Sequence, residues 1–247
     1  MSQRVNRLSP VRASPRSALR TPASHVPRLR SGPGEPAPVP PLSAGERVKT
    51  AADVVLAAVI LVPALPVLMA CVLLMRLTSR GPAIYTQARV GRGGRVFTLY
   101  KVRTMYHDCE RLTGPQWSTP GDARITPVGR VLRKLHLDEL PQLFNVLRGD
   151  MSLVGPRPER PEIVKRLREA VVGYDRRHVV KPGITGFAQI HLPPDSCLRS
   201  VRNKLVYDLF YVRNRSWHME LFILLATGLK TLGLKRLYYR APRVPTE

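Results

Sequence analysis

Acidic residues are scarce in this chain. Only 17 Asp and Glu stand against 40 Lys and Arg in 247 residues, a formal net charge of +23 and a pI near 11.2. The partner of such a surface is anionic: nucleic acid, anionic lipid headgroups and phosphorylated small molecules all qualify, and charge alone does not choose among them. Cysteine is scarce too. Cys71, Cys109 and Cys197 are scattered and odd in number, with no CxxC or Cys/His metal spacing. That supports neither a disulfide framework nor a zinc site, and it favours a reduced, cytoplasm-facing protein. Aromatic residues make up 6% of the chain, too sparse for the interleaving typical of single-strand nucleic-acid binders. No apolar h-region lies near the start, so a cleaved signal peptide is not expected. The length suffices for one or two domains with a core.

What is present begins with a Pro-, Arg- and Ser-rich segment over 1–45, including SGPGEPAPVPPLS at 31–43. It cannot bury enough apolar surface to offset its ordering entropy and reads as a disordered basic tail. An apolar run, VVLAAVILVPALPVLMACVLLM, covers 54–75. As a straight helix it would rise about 33 Å, enough to span a bilayer core. Pro63 and Pro66 interrupt its middle and predict a sharp bend. Arg47 and Lys49 precede the run, and Arg76 and Arg80 follow it. The positive-inside tendency therefore draws both ends to the cytoplasm. A helix that dips in, bends at the prolines and returns satisfies this; a kinked simple span remains open.

A hairpin signal follows. AIYTQARV (83–90) and RVFTLYKVRTM (95–105) alternate at strand spacing around Gly91, Arg92, Gly93 and Gly94. No GK[ST] follows these glycines, so they read as a tight turn rather than a P-loop. Lys101 and Arg103 share one face of the second strand, to hold phosphate or to face solvent. Residues 106–125 read as a loop. Thr126-Pro127 reads as a helix start, with Val128, Val131, Leu132, Leu135 and Leu137 on an apolar face and Arg130, Arg133 and Lys134 on a basic one. Pro141 predicts an end or bend at the acid pair Asp138 and Glu139, and a second helix to Leu147 with Gly149 just past it. If Pro141 opens that helix, its free N–H groups suit a phosphate beside the pair. A further amphipathic helix is expected over 162–174, and KPGITGFAQI (181–190) reads as loop. The stretch 205–212 is apolar and aromatic. A last helix is expected over 220–237, either lying in the membrane plane or packed in the core.

The acid pair is the chemical centre of this reading. Adjacent helical residues point about 100° apart, so the two carboxylates take different roles: one attacks or accepts a proton, the other binds a cation. Arg133, Arg157, Lys101 and Arg103 supply basic surroundings, which favour depressed pKa values and ionised carboxylates. An ionised carboxylate among arginines suits phosphoryl chemistry: aspartate can take a phosphoryl group, Mg²⁺ neutralises phosphates and arginines stabilise transition-state charge. Structural salt bridges are the plain alternative.

LDELPQLFNVLRGDMSLVGPRP (137–158) closely resembles the signature of the bacterial sugar transferase family, the monotopic phosphoglycosyl transferases. YKVRTM, DARITPVGRVLRKL, KPGITGFAQI and YDLFYVRNRS also resemble family segments, in family order, over roughly 45–235. The resemblance implies a two-step reaction. The aspartate matching Asp138 attacks the sugar-linked phosphate of a UDP-sugar and UMP leaves. Undecaprenyl phosphate, the polyprenyl acceptor, then takes the phosphosugar. Glu139 is implied to hold Mg²⁺. Arg133 and Arg157 match site arginines, with Arg157 inside the block Pro156-Arg157-Pro158 implied in substrate binding. The resemblance also implies a re-entrant helix broken at a proline, and in-plane helices on membrane lipid. Three positions depart from the pattern. Leu65 precedes Pro66 where some members have Ser, Phe187 stands where Trp is usual, and Glu220 where Asp is usual.

The expected fold is mostly α with a small β-hairpin, a monotopic protein on the cytoplasmic face of a bacterial inner membrane. It divides into a tail (1–45), a re-entrant membrane helix (46–80) with Pro63 and Pro66 at its break, and a catalytic domain (81–247). Some family members carry additional N-terminal spans, and this chain resembles the minimal catalytic form. A service in exopolysaccharide, capsule or lipopolysaccharide assembly follows from the resemblance. The sugar and the oligomeric state, homo-oligomer included, stay open, and no specific nucleic acid is expected. The competing reading is a membrane-tethered basic module that binds nucleic acid or anionic lipid without catalysis. It explains the charge but not the acid pair.

Overall fold

A computed structural model describes residues 41–107, 109, 121–195, 197–231, 233, 234 and 242. Most of the basic tail expected over 1–45 lies outside the described residues, as do parts of the 106–125 loop and of the last expected helix. The described chain is mostly helical, with one two-stranded antiparallel sheet and one long apolar helix.

That helix, α1, runs from Ala44 to Thr78, about 52 Å at 1.5 Å per residue. Ser43 starts it with a reciprocal cap. Its hydroxyl accepts from the Glu46 N–H at 3.2 Å, and its own N–H donates to Glu46 Oε2 at 2.9 Å. Pro63 and Pro66 both lie inside the helix, which is not interrupted at either. α1 is long and apolar enough to cross a membrane by length and composition. Yet Asp53, Ala57, Leu68, Cys71 and Met75 are buried, with Leu61 and Ala64 partly so. Their three- and four-residue spacing is one helical face, seated lengthwise on the rest of the protein. The opposite face, including Val55, Val59, Val62, Met69 and Leu73, is apolar and exposed.

The hairpin forms, with its second strand shorter than read. β1 (Ile84–Val90) pairs antiparallel with β2 (Val96–Val102), with Tyr85 opposite Lys101. The turn between them carries Gly93 and Gly94 at φ +65° and +80°, a region that glycine enters without strain. α2 (Pro127–Lys134) starts at Thr126, whose hydroxyl accepts from the Gly129 N–H at 2.9 Å. α3 is Gln142–Leu147, and Gly149 follows at φ +82°.

Several sequence expectations shift. α2 ends at Lys134, before the acid pair, because His136 turns left-handed at φ +56°. Its expected apolar face divides: Leu132 is buried, whereas Val131 and Leu135 are exposed. α4 (Pro161–Ala170) stops short of Tyr174, since Gly173 at φ +76° opens a 3₁₀ stretch over Tyr174–Val179. The stretch read as loop, 181–190, holds β4 (Gly183–Thr185) and most of α5 (Phe187–His191). β4 lies parallel to β3 (Ser152–Val154). α6 (Leu198–Asn214) contains the aromatic stretch 205–212. α7 is Trp217–Thr231, with Gly233 in a left-handed turn after it, so it begins earlier and ends sooner than read.

The main core gathers α1, α3, β3, α5, α6 and α7. Phe187 sits within it, stacked on Phe210 at 5.3 Å and tilted against Tyr207 at 5.7 Å. Burying such a ring contributes roughly 1.5–3 kcal/mol. α7 buries Met219, Ile223 and Ala226 there and exposes Trp217, Leu221 and Leu225. It thus has a core face and an apolar outer face.

Candidate active site

The acid pair has its own element, a single 3₁₀ turn over Leu137–Glu139. Four contributions meet there: Lys101 from β2, Arg133 from α2, the two acids, and Arg157 from the Pro-Arg-Pro segment. Lys101 Nζ lies 2.8 Å and Arg157 Nη2 2.6 Å from the same oxygen, Glu139 Oε1. Glu139 Oε2 accepts no hydrogen bond among the described residues, and no hydrogen bond or ion pair holds Asp138 there.

The backbone explains why these groups converge. Asn145, fully buried on α3, donates to Thr98 O at 2.7 Å and accepts from the Tyr100 N–H at 3.1 Å. It ties α3 to the strand that carries Lys101. Thr104 O accepts from the Thr126 N–H at 3.0 Å. A Cβ on Gly129 would collide with that same carbonyl, so only glycine lets α2 approach so closely. Arg133 Nε then reaches Thr104 Oγ1 at 2.8 Å.

The surroundings shift the two carboxyls in opposite directions. Burial alone would raise Glu139, but Arg157 and Lys101 outweigh it and hold the carboxyl well below the usual range. Burial pushes Asp138 above the usual range. Lys101 opposes that rise, the Glu139 charge adds to it, and Arg133 and Arg157 oppose it. The expectation that both acids are depressed therefore holds for Glu139 alone. Burial lowers Lys101, with Glu139 pulling the other way.

Other sequence candidates fall elsewhere. Arg103 does not join the cluster. β2 ends at Val102, so strand alternation no longer governs residue 103, and its buried guanidinium donates to Arg80 O and, at 2.9 Å, to Ser79 O, just past the C-terminus of α1. Most amides near Pro141 are engaged. Leu140, Leu143 and Phe144 donate to the carbonyls of Leu137, Leu140 and Pro141, which leaves few amides there to face a phosphate. Pro156 and Pro158 are buried beside Arg157 and line a small cavity of about 10 Å³ with Arg177 and His178. Pro63 and Pro66 are exposed on α1.

The sequence reading missed three groups. Asp122, whose carboxyl is held at about 2 chiefly by its hydrogen bond from Arg124, lies in the field of Arg133. Asp53, just before the apolar run, accepts from Ser152 Oγ at 2.6 Å and pairs with Lys49 at 3.1 Å. Lys49 also pairs with Glu220 at 2.9 Å, and Glu220 accepts from Tyr211 at 2.6 Å. Arg177 and Asp208 form a sealed pair, 2% and 3% exposed. An acid between Lys49 and the apolar run was the one local signal available for Asp53.

A family profile described as bacterial sugar transferase matches residues 44–233. A UDP-N-acetylgalactosamine-undecaprenyl-phosphate N-acetylgalactosaminephosphotransferase of Aeromonas hydrophila is 43% identical over 70% of this chain and 41% of its own length. A UDP-glucose:undecaprenyl-phosphate glucose-1-phosphate transferase of Xanthomonas campestris pv. campestris is 39% identical over 77% of this chain and 40% of its own. Another transferase so described, from Caulobacter vibrioides, is 39% identical over 83% of this chain and 76% of its own. The chain spans about two fifths of the length of the first two of these relatives. The profile match takes in α1, the hairpin, the acid pair and the Pro-Arg-Pro segment alike, and the chain belongs to the bacterial sugar transferase family.

Proposed function

We propose that this protein transfers a sugar 1-phosphate from a UDP-sugar to undecaprenyl phosphate through a covalent intermediate on Asp138. The observation that carries the reading is the asymmetry of the pair: Glu139 is held ionised by Lys101 and Arg157, while Asp138 is buried, raised and bound by neither. A desolvated carboxylate without a hydrogen-bond partner is the better nucleophile.

In the first step an Asp138 oxygen forms a bond to the sugar-bearing phosphorus. The bond from that phosphorus to the UMP oxygen breaks, and UMP leaves with the electron pair. In the second step a phosphate oxygen of undecaprenyl phosphate attacks the same phosphorus, and the Asp138 carboxylate departs. Lys101, Arg133 and Arg157 stabilise negative charge on the transferring group. Among the described residues no three His, Cys, Asp or Glu side chains gather to hold a metal ion. The donor set fits Mg²⁺ held by few protein ligands and by substrate phosphates, and Glu139, ionised with Oε2 open, is the residue to hold it. When bound, it would neutralise donor phosphate charge.

The membrane reading rests on α1. Its first turns are tied to the body through Glu46, Lys49 and Asp53, and its last through Met75 and the Arg103 contacts. Anchoring of both ends in one body supports reading α1 as a re-entrant or surface-lying helix, with that body on the cytoplasmic face. Probes at cysteines placed before Lys49 and after Arg80 should both react from the cytoplasm; reaction from opposite sides rejects the arrangement.

The deciding assay offers purified protein Mg²⁺, undecaprenyl phosphate and a panel of UDP-sugars. UMP release from one donor, absent in Asp138→Asn, is the expected result. Release that persists in Asp138→Asn rejects the covalent route. A charge-driven binding module would release none, and Asp138→Asn would leave its binding unchanged.

A further inference from the structure

Arg157 sits in a segment, 155–159, that cannot be held in the ordinary way. Pro156 and Pro158 have no N–H, so a regular strand ladder is excluded. Beyond the Gly155 N–H, which donates to Thr185 O at 2.9 Å, the segment is fastened through its carbonyls. Pro156 O accepts from the Gly183 N–H at 3.0 Å, Pro158 O from Arg89 Nη1 at 2.9 Å, and Glu159 O from the Val90 N–H at 2.9 Å. The carbonyl of Arg157 itself accepts from Arg177 Nη2 at 2.8 Å.

Arg177 is fixed on its other sides. Nε donates to Asp208 Oδ2 at 2.9 Å, Nη2 lies 2.8 Å from that same oxygen, and Nη1 donates to Tyr174 Oη at 2.8 Å. Two charges sealed this deeply are not needed for stability alone, since apolar residues of similar volume serve as well or better. The Arg157 side chain, by contrast, is 37% exposed and, among the described residues, makes one ion pair, to Glu139. Its aim depends on its main chain.

We infer that Arg177, anchored by Asp208 and Tyr174, is a positioning residue that sets Arg157 against Glu139. The inference rests on the transferase reading for its effect on turnover, though not for its effect on the segment. Arg177 touches no reacting atom. It fixes the carbonyl at the one position where a guanidinium must be aimed.

The test uses the full chain in detergent with four variants: Arg177→Met/Asp208→Leu, which removes both charges together; Tyr174→Phe, which removes one anchor and spares the ion pair; Arg157→Ala; and the triple combination. UMP release is measured on each, with peptide hydrogen exchange at the amides whose bonds fasten 155–159: Gly155, Val90 and Gly183. The paired variant should lose roughly 10–100-fold in kcat, the scale of a misplaced catalytic group, and Tyr174→Phe should lose less. Exchange at those amides should quicken in both. In the Arg157→Ala background the paired substitutions should cost almost nothing more, since coupled residues are non-additive. Losses that multiply independently overturn the inference, and so does unchanged exchange at those amides. If the unmodified protein releases no UMP from any donor, the transferase reading falls. Exchange then decides the positioning alone, faster at those amides supporting it and unchanged rejecting it.

Discussion

On one side of residues 155–159, Glu139 takes Lys101 and Arg157 on a single oxygen, and Asp138 beside it takes neither. On the other side, Asp208 and Tyr174 meet every nitrogen of Arg177, and Arg177 meets the Arg157 carbonyl. Both clusters are ionic and both are buried, but the first keeps side-chain exposures of 11–37% and the second only 2–3%. Among the described residues the first leaves Asp138 and Glu139 Oε2 without donors, whereas in the second every Arg177 nitrogen is engaged and it has nothing to offer a ligand. Open valence beside arginine suits chemistry on a phosphate, and closed valence suits holding a backbone still.

The sharpest way to separate the clusters is to neutralise one charged group in each. Asp138→Asn should cost turnover on the order of 10⁴-fold or more, the scale of losing a covalent nucleophile, with little change in melting temperature. Turnover kept within tenfold would remove Asp138 from the chemistry. Next in size is Arg177→Met made alone. It strands Asp208 as a buried unpaired charge, which costs about 3–5 kcal/mol of stability. Denaturant unfolding should show that loss, and the added Asp208→Leu should restore most of it. If Arg177→Met alone unfolds at the wild-type midpoint, the pair is not sealed as described.

The two clusters were unequally legible in the sequence. Asp138, Glu139 and Arg133 lie within one short stretch, and Lys101 and Arg157 sit in blocks with local signals of their own, so the structure unites residues that the sequence already singled out. Arg177 and Asp208 lie 31 positions apart on a 3₁₀ stretch and a helix, and no local pattern announces a pairing that only tertiary packing makes. Arg103 misled because its strand ends one residue earlier. The parallel pair β3–β4 was invisible because each strand has three residues, and the glycines that read as loop are needed for contact. A Cβ on Gly155 or Gly186 would strike the facing backbone. The pKa of Asp138 could not be read either, since burial is a property of the fold.

A third cluster, Glu159 with Lys204 at 2.7 Å and Arg89 at 3.6 Å, fastens the far end of the same segment. Burial would raise Glu159, but Lys204, Arg177 and Arg89 bring it from 4.5 down to about 2. A carboxyl depressed on folding stabilises above its unfolded pKa and loses that contribution as pH falls through its folded one. The window is thus pH 4.5 to 2, and the shift corresponds to about 3 kcal/mol. Wild type should be more stable than Glu159→Gln at pH 6, with the gap narrowing through that window. A gap independent of pH would assign the difference to packing.

The smallest expected effect probes how the first cluster is placed. Thr126 caps α2 through its hydroxyl, and its N–H holds Thr104 O, one residue's reach from the Thr104 hydroxyl that receives Arg133. Thr126→Ala removes the cap and keeps the N–H, and should cost about 1 kcal/mol of stability. Because α2 carries Arg133, kcat should fall a few-fold as well, whereas Ser43→Ala, an equivalent cap loss on α1, should lower stability without that loss of kcat. Equal effects of both substitutions on kcat would mean that α2 contributes only to the fold, and that Arg133 does not depend on its start.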